Sequence, residues 1–559
     1  MITSTANVLW LLACLPEYAA FRQAMRQVAP TQRRLLLALL QRNAHTDFGR
    51  GHNFAGLKSV ADYQTAVPIT TYQDYQPALE RISAGEPGVL TADPVLLLEQ
   101  TSGSTAATKF IPYTAALKRQ FQQAIAPWIA DTFLHHPGLI RGQAYWSVTP
   151  VTHRNRRTPG GIPIGFEEDS HYFGPVQRHL VQAVQAVPPA VKLIDHMAAF
   201  RYITLLFLLR RPHLTLMSVW NPTFLTLLLQ PLTGWWPRLA ADIAAGTLLP
   251  PAPLAAGLHH ALQRQNRPNP RRAAQIKAAF TAETDPGAVN ARLWPHLRLI
   301  SCWTEAHAAL SLPELRRLFP HAGLQPKGLL ATEGVVSFPL TGYPGSVPAL
   351  RSHFFEFLPV STAGASEFTG QPLLAHQLSA GQQYEVLLTT GGGLYRYRLF
   401  DAVMVADMRG DCPVIKFVGK TGHISDRFGE KLNEYHVRQA LDDLLGRQNV
   451  TPAFAMLAFE ETLTQPAYVL FIQAEHTPDA GLARLGRSLE AALQANFHYR
   501  YCRQLGQLAA LRVFRVAAGA QAAYMAVCRA QGQRAGDIKP LALHRYARWL
   551  AVFAGELLT

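Results

Sequence analysis

A run of small, mostly hydroxyl-bearing residues, Thr101-Ser102-Gly103-Ser104-Thr105, leads through Ala106-Ala107-Thr108 to Lys109. Small side chains let backbone N–H groups close on an anion, hydroxyls donate hydrogen bonds, and the lysine adds charge. The composition is therefore that of a phosphate cradle. The common nucleotide-binding loop needs glycine directly before its lysine, and Thr108 stands there instead. Gly419-Lys420-Thr421 fails the same test, because Val414 occupies the place of the first glycine. On composition alone, residues 102–108 read equally well as an ordinary polar loop.

Two further stretches carry groups suited to nucleotide chemistry. Ala331-Thr332-Glu333-Gly334 offers a hydroxyl and a carboxylate at a strand end, where a solvated turn is the plain reading. Leu394-Tyr395-Arg396-Tyr397-Arg398-Leu399-Phe400-Asp401 alternates aromatic and cationic residues, as a strand with two polar faces or an ion-pair ladder would. Lysine occurs at only ten positions in a chain with 52 lysines and arginines. A lysine inside a motif is thus more informative here, since a compact ammonium is kept where arginine is the habit.

The pattern Thr-Ser-Gly-Ser-Thr ending in Lys109 resembles the phosphate loop of the adenylate-forming superfamily of acyl-CoA synthetases, peptide adenylation domains and luciferases. Thr71-Tyr72-Gln73-Asp74-Tyr75, the block Arg81 to Glu86, and Phe110-Ile111-Pro112-Tyr113-Thr114 narrow the likeness. They resemble the auxin-responsive acyl-acid amido synthetases, the Gretchen Hagen family, and more specifically its bacterial branch. Matching blocks run from about Leu35 to Lys539.

The resemblance implies an α/β fold: a large multi-sheet adenylation domain over residues 1–425 and a smaller, mobile α+β domain over 426–559. It implies ATP and Mg2+, with a small carboxylic acid activated as acyl-AMP and passed to an amine such as an amino acid. Thr101, Ser102, Gly103, Ser104 and Thr105 would cradle phosphate, with Lys109 supplying charge. Ala331 and Thr332 would approach the α-phosphate, and Glu333 would hold the metal. Asp401 would accept both ribose hydroxyls, with Lys420 near ribose or phosphate. Lys431 opens the mobile domain, and Lys539 matches the superfamily's late catalytic lysine. Two departures stand out: Ala106 and Phe400 occupy places where the family has glycine. Phe400 is bulky enough to displace Asp401 or crowd the adenosine site. Two other readings stand beside the amido synthetase, an acyl-CoA ligase and a degenerate nucleotide-binding chain without turnover.

The chain has 559 residues, enough for two or more domains with full cores. Its net charge of +15 is spread along the sequence, so a bias toward anionic substrates is expected rather than nucleic-acid binding. Five scattered cysteines give no metal spacing or disulfide framework, which fits a reducing cytoplasm. No apolar run reaches the roughly 18 residues that span a bilayer. Oligomeric state is left open by the sequence.

The elements that must position these groups are legible as patterns. Val95 to Leu98 reads as a buried strand before the phosphate loop, and Thr114 opens a helix after it. Val8 to Leu15 reads as an amphipathic helix on the core, and Thr46 to Arg50 as a turn. Ala144–Val148, Leu214–Trp220, Leu297–Trp303 and Tyr384–Thr390 read as strands, and residues 158–165 as a Gly/Pro loop. The smaller domain reads as helix, two strands, helix and strand between Glu434 and Val516. Asn496 to Tyr499 with Arg503 is assigned a packing role.

Overall fold

Ala6, Trp10 and Cys14 recur four residues apart, so they share one face of the first helix, α1 (Ile2–Ala24), and are buried there. The computed structural model describes residues 2–101, 109–147, 157–165, 175–305, 308, 312–360, 371–420, 424–530, 541–545 and 548–558. These fall into two compact units. The first holds the described residues up to 99, from 111 to 358 and from 371 to 418. The second holds those from 419 onward with 100–101, 109–110 and 359–360.

Helices α2 (Val28–Arg42), α3 (Asp47–Gly51), α4 (Val60–Ala66) and α5 (Tyr72–Ser83) follow α1. The segment read as a turn at Thr46–Arg50 is the short helix α3, because Thr46 Oγ1 accepts from the Gly49 N–H at 3.0 Å and caps it. Strands β1 (Val95–Thr101) and β2 (Lys109–Thr114) form a two-stranded ribbon. Thr114 then caps α6 (Ala115–His135) through the Leu117 N–H at 3.1 Å. Residues 157–165 do not stand free as a loop, since Leu98 N–H donates to Pro163 O and Gly165 N–H to Leu98 O, at 2.9 and 2.8 Å.

A parallel sheet of β3 (Gln143–Trp146), β4 (Leu214–Ser218), β5 (Leu299–Ser301) and β6 (Gly323–Gln325) runs in chain order. Its crossovers are helical, as parallel neighbours require. One crossover helix, Met197–Leu209, is almost wholly buried, which explains the long apolar run around it. Each of its fully buried leucines contributes about 1.5–3 kcal/mol. Among the described residues no helix is long and apolar enough to cross a membrane.

A short hairpin, β7 (Leu330–Ala331) and β8 (Gly334–Val335), precedes a seven-stranded sheet. That sheet comprises β9 (Ser337–Pro339), β10 (Ser346–Pro348), β11 (Phe354–Pro359), β12 (Leu373–Leu374), β13 (Gln383–Thr389), β14 (Tyr397–Arg409) and β15 (Cys412–Lys420). Its spatial order is β12-β11-β13-β14-β15-β10-β9.

In the second unit, β16 (Ile424–Ser425) pairs with β17 (Leu432–Asn433). A mixed sheet follows, of β18 (Phe454–Glu460), β19 (Ala467–Gln473), β20 (Arg512–Val516), β21 (Leu543–His544) and β22 (Gly555–Leu557), in the order β21-β18-β19-β20-β22. Helices Glu434–Arg447, Asp479–Leu493 and Phe497–Leu505 share one core with it, and Ala520–Ala530 belongs to the other. Tyr499 is fully buried and donates to Glu490, which also pairs with Arg503, so the packing role assigned to that block holds. All five cysteines are free and buried.

Candidate active site

Ala331 pairs with Gly334 across the β7–β8 hairpin, so Thr332 and Glu333 form its two-residue tip. The tip is held from three sides. Tyr113, on β2, donates its hydroxyl to Thr332 O at 2.5 Å. His353 Nε2 accepts from the Val335 N–H at 3.2 Å, so the ring's proton sits on Nδ1. Burial pushes that histidine down to about 3, and it stays neutral. Gly334 lies so close to the ring that a Cβ there would come within 2.7 Å of Nε2. Tyr397 Oη donates a long hydrogen bond, 3.5 Å, to Glu333 Oε1. Glu333 is 8% exposed and, among the described residues, has no ion-pair partner. A buried carboxylate with that much unused acceptor capacity suits a divalent cation that keeps oxygen ligands.

Tyr397 begins β14, and the same strand carries Asp401. The block 394–401 is not one regular strand. Arg396 and Phe400 both take positive φ, 49° and 59°. Opposite them the register shifts: Glu385 pairs with Ala402 and Leu387 with Arg398, so Val386 faces three residues. This bulge turns the strand at Asp401, which is buried. The positive φ explains why glycine would suit position 400, since an L side chain there costs about 1–2 kcal/mol. Part of that cost is offset by Arg398, whose guanidinium lies 4.7 Å from the Phe400 ring centroid. Arg398 is itself fixed on Glu385 by two hydrogen bonds of 2.7 and 2.9 Å.

Arg396 is the deeper anchor. It reaches both Glu356 oxygens at 3.2 and 3.1 Å and donates to Gln64 O and Val67 O at 2.7 and 2.6 Å. Gln64 closes the set on Glu356 Oε1 at 2.9 Å. Burial raises the Glu356 carboxyl, and the Arg396 charge opposes it. The arginines of this block therefore serve as structural ion pairs, and the tyrosines beside them are buried rather than forming a polar face.

The remaining candidates belong to other elements. Lys109 is the first residue of β2 and is buried, not part of an open loop. Thr101 ends β1, and Lys420 ends β15. Lys431 takes φ 46° just before β17, and its carbonyl accepts from Asn496 Nδ2 at 3.4 Å. Ser102, Gly103, Ser104, Thr105 and Lys539 lie outside the described residues, as does Ala106.

Residues 17–324, 346–420 and 435–546 match the models of the GH3 family N-terminal, central and C-terminal domains. The chain belongs to the GH3 family. This is the Gretchen Hagen family that the motifs resemble, and its adenylate-forming fold is the two-domain α/β architecture expected. Within the family, the chain is 26% identical over 433 residues to indole-3-acetic acid-amido synthetase GH3.15 of Arabidopsis thaliana, covering 73% of this chain and 70% of that one. Identity to the probable indole-3-acetic acid-amido synthetase GH3.1 of the same plant is 23%, over 82% of this chain and 79% of that one. The solved AtGH3.15 acyl acid amido synthetase in complex with 2,4-DB superposes with a TM-score of 0.64 at 20% identity, covering 98% and 97% of the two chains. A 2-hydroxyisobutyryl-CoA ligase with 2-HIB-AMP and CoA gives 0.52 at 11% identity, covering 94% and 91%.

Sequence reasoning on this GH3 chain found the Thr332–Glu333 tip but not the groups that hold it. Tyr113 lies 219 residues away in sequence, and His353 follows the tip by 20 residues in no motif. Tyr113 stands in the block after Lys109 and Tyr397 in the block Leu394–Asp401, and neither block by itself points to the tip.

Proposed function

We propose that this GH3 chain is an ATP-dependent acyl-acid amido synthetase. The observation that carries this reading is the Thr332–Glu333 tip, with Glu333 buried and the hairpin clamped by Tyr113, His353 and Tyr397, in a chain of this family. A carboxylate oxygen of the acid attacks the α-phosphorus of ATP, the bond to pyrophosphate breaks, and acyl-AMP forms. An amine nitrogen then attacks the acyl carbon, AMP leaves, and the nitrogen loses its proton.

Two anions must meet in the first step, so donors and cations have to converge on them. Thr101 to Thr105 with Lys109 cradle phosphate, Ala331 and Thr332 face the α-phosphate, and Asp401 accepts the ribose hydroxyls. Lys420 and Lys431 add positive charge, and Lys539 supplies the late cation that adenylation needs at the α-phosphate. Glu333 would hold Mg2+, which when bound neutralises phosphate charge. The enzyme acts in the cytoplasm, on a small acid and an amino acid.

Phe400 at φ 59° favours one second reading, a nucleotide-binding chain without turnover. ATP–pyrophosphate exchange over a panel of carboxylic acids separates the two. Exchange with one or more acids supports the synthetase, and tight ATP binding with no exchange supports the second reading. Amide product with an amino acid, and no thioester with coenzyme A, fixes the acceptor.

A further inference from the structure

Lys327 follows β6 at the carboxyl edge of the parallel sheet and is 7% exposed. Its Nζ donates to Ser218 Oγ, just inside the end of β4, at 2.6 Å. The ammonium also lies 5.3 and 5.2 Å from the ring centroids of Trp128 and Trp220. Among the described residues no carboxylate pairs with it. An ammonium has three N–H donors, and Ser218 takes one. Burial pushes this lysine down to about 8, as expected of a cation with no counter-charge.

The surroundings point the same way. Trp303, after β5, donates its backbone N–H to Trp220 O at 2.8 Å, while its indole Nε1 is buried without a hydrogen-bond partner among the described residues. Trp220 is 53% exposed, so the cage has one wall facing outward. The result is a buried ammonium with N–H donors to spare, flanked by two indole rings at strand carboxyl ends, where open α/β sheets bind ligands. Such a group selects an oxygen anion.

We infer that Lys327, Ser218, Trp128 and Trp220 form a subsite for an anionic oxygen group on the acyl acid, remote from the carboxylate that reacts. The preferred substrate class is then an acid with a second carboxylate or equivalent acceptor. This inference rests on the acyl-adenylating reading above. The reacting carboxylate itself is the poorer occupant: an ammonium paired to it would hold back its lone pair and lose its partner as acyl-AMP forms. A remote anion keeps its charge through both half-reactions, so it serves binding without opposing chemistry.

The test titrates the full chain, without ATP, with succinate, adipate and terephthalate and with their monomethyl esters, by calorimetry. At least one diacid should bind about tenfold or more tightly than its monoester at neutral pH. That preference should vanish in Lys327→Met, persist in Lys327→Arg, and fade in the wild type as pH rises past the lysine's titration near 8. Equal affinity for every diacid and its ester in the wild type overturns the subsite, as does a preference that Lys327→Met retains. Should Lys327→Met not fold, the wild-type pH profile decides alone, and a preference flat above pH 9 overturns it. Because binding is read without nucleotide, a failure of pyrophosphate exchange would sink the synthetase reading and leave the subsite result standing.

Discussion

Glu333 and Lys109 are buried, so truncating either to alanine would mix lost chemistry with lost packing. Replacements of similar shape separate the two. Glu333→Gln and Lys109→Met should lower pyrophosphate exchange by about a hundredfold or more, with melting temperatures close to wild type; an exchange rate that survives either change removes that residue from the reaction. Phe400→Gly relieves the positive φ, worth about 1–2 kcal/mol. It also forfeits the Arg398–ring contact, worth about 0.5–1 kcal/mol. The expected outcome is tighter ATP binding with stability raised by no more than about 1.5 kcal/mol, read by calorimetry and thermal melts. Weaker ATP binding would show the ring to be a support for Asp401. Lys327 adds a pH dependence. Its folded value, about 8, lies below the free value of 10.5, so the unfolded chain binds the extra proton between them. Stability should therefore rise with pH from about 8 to 10.5 in the wild type and not in Lys327→Met. The shift corresponds to at most about 3 kcal/mol, less what the two indole faces return to the charged form.

At the scale of elements, the β7–β8 hairpin is only as well placed as its supports. Gly334→Ala would drive a methyl group into His353, and a forced shift of this kind costs about 1–3 kcal/mol. We expect exchange activity to fall more than stability does, because the displaced element carries Thr332 and Glu333; a normal rate with a lower melting temperature would contradict that. The same scale shows what the sequence could and could not reveal. Helices with a capping hydroxyl, such as the one after Thr114, and apolar strands such as Leu214–Ser218 were readable, because cap and periodicity are local. The bulge at Phe400 was not, since it depends on the register with β13. The alternation of Tyr and Arg left two readings open for a related reason, and the ion pairs hold: Arg396 is matched by Glu356, and Arg398 by Glu385, from other strands. Lys327 lies in no motif, and only the sheet brings Trp128, Ser218 and Trp220 around it.

At the scale of the whole molecule, the two half-reactions make different demands. Adenylation needs a cation at the α-phosphate, whereas amide formation needs an open path for the amine and removal of its proton. Lys539→Ala should therefore abolish pyrophosphate release yet still convert synthetic acyl-AMP and an amino acid to amide. Equal slowing of both steps would rule out this division of labour. The first helix bears on a different practical matter. The family match begins at residue 17, yet Trp10 and Cys14 are 1% exposed and cover Ile129, Phe133 and Leu139. Asn7 adds hydrogen bonds to Leu139 O, Ile140 O and Gly142 O. A protein trimmed to the family boundary for expression would lose that cover and present a bare apolar floor to its neighbours. Poor yield from such a shortened gene would then report a missing roof, and would say nothing about whether the catalytic part can fold.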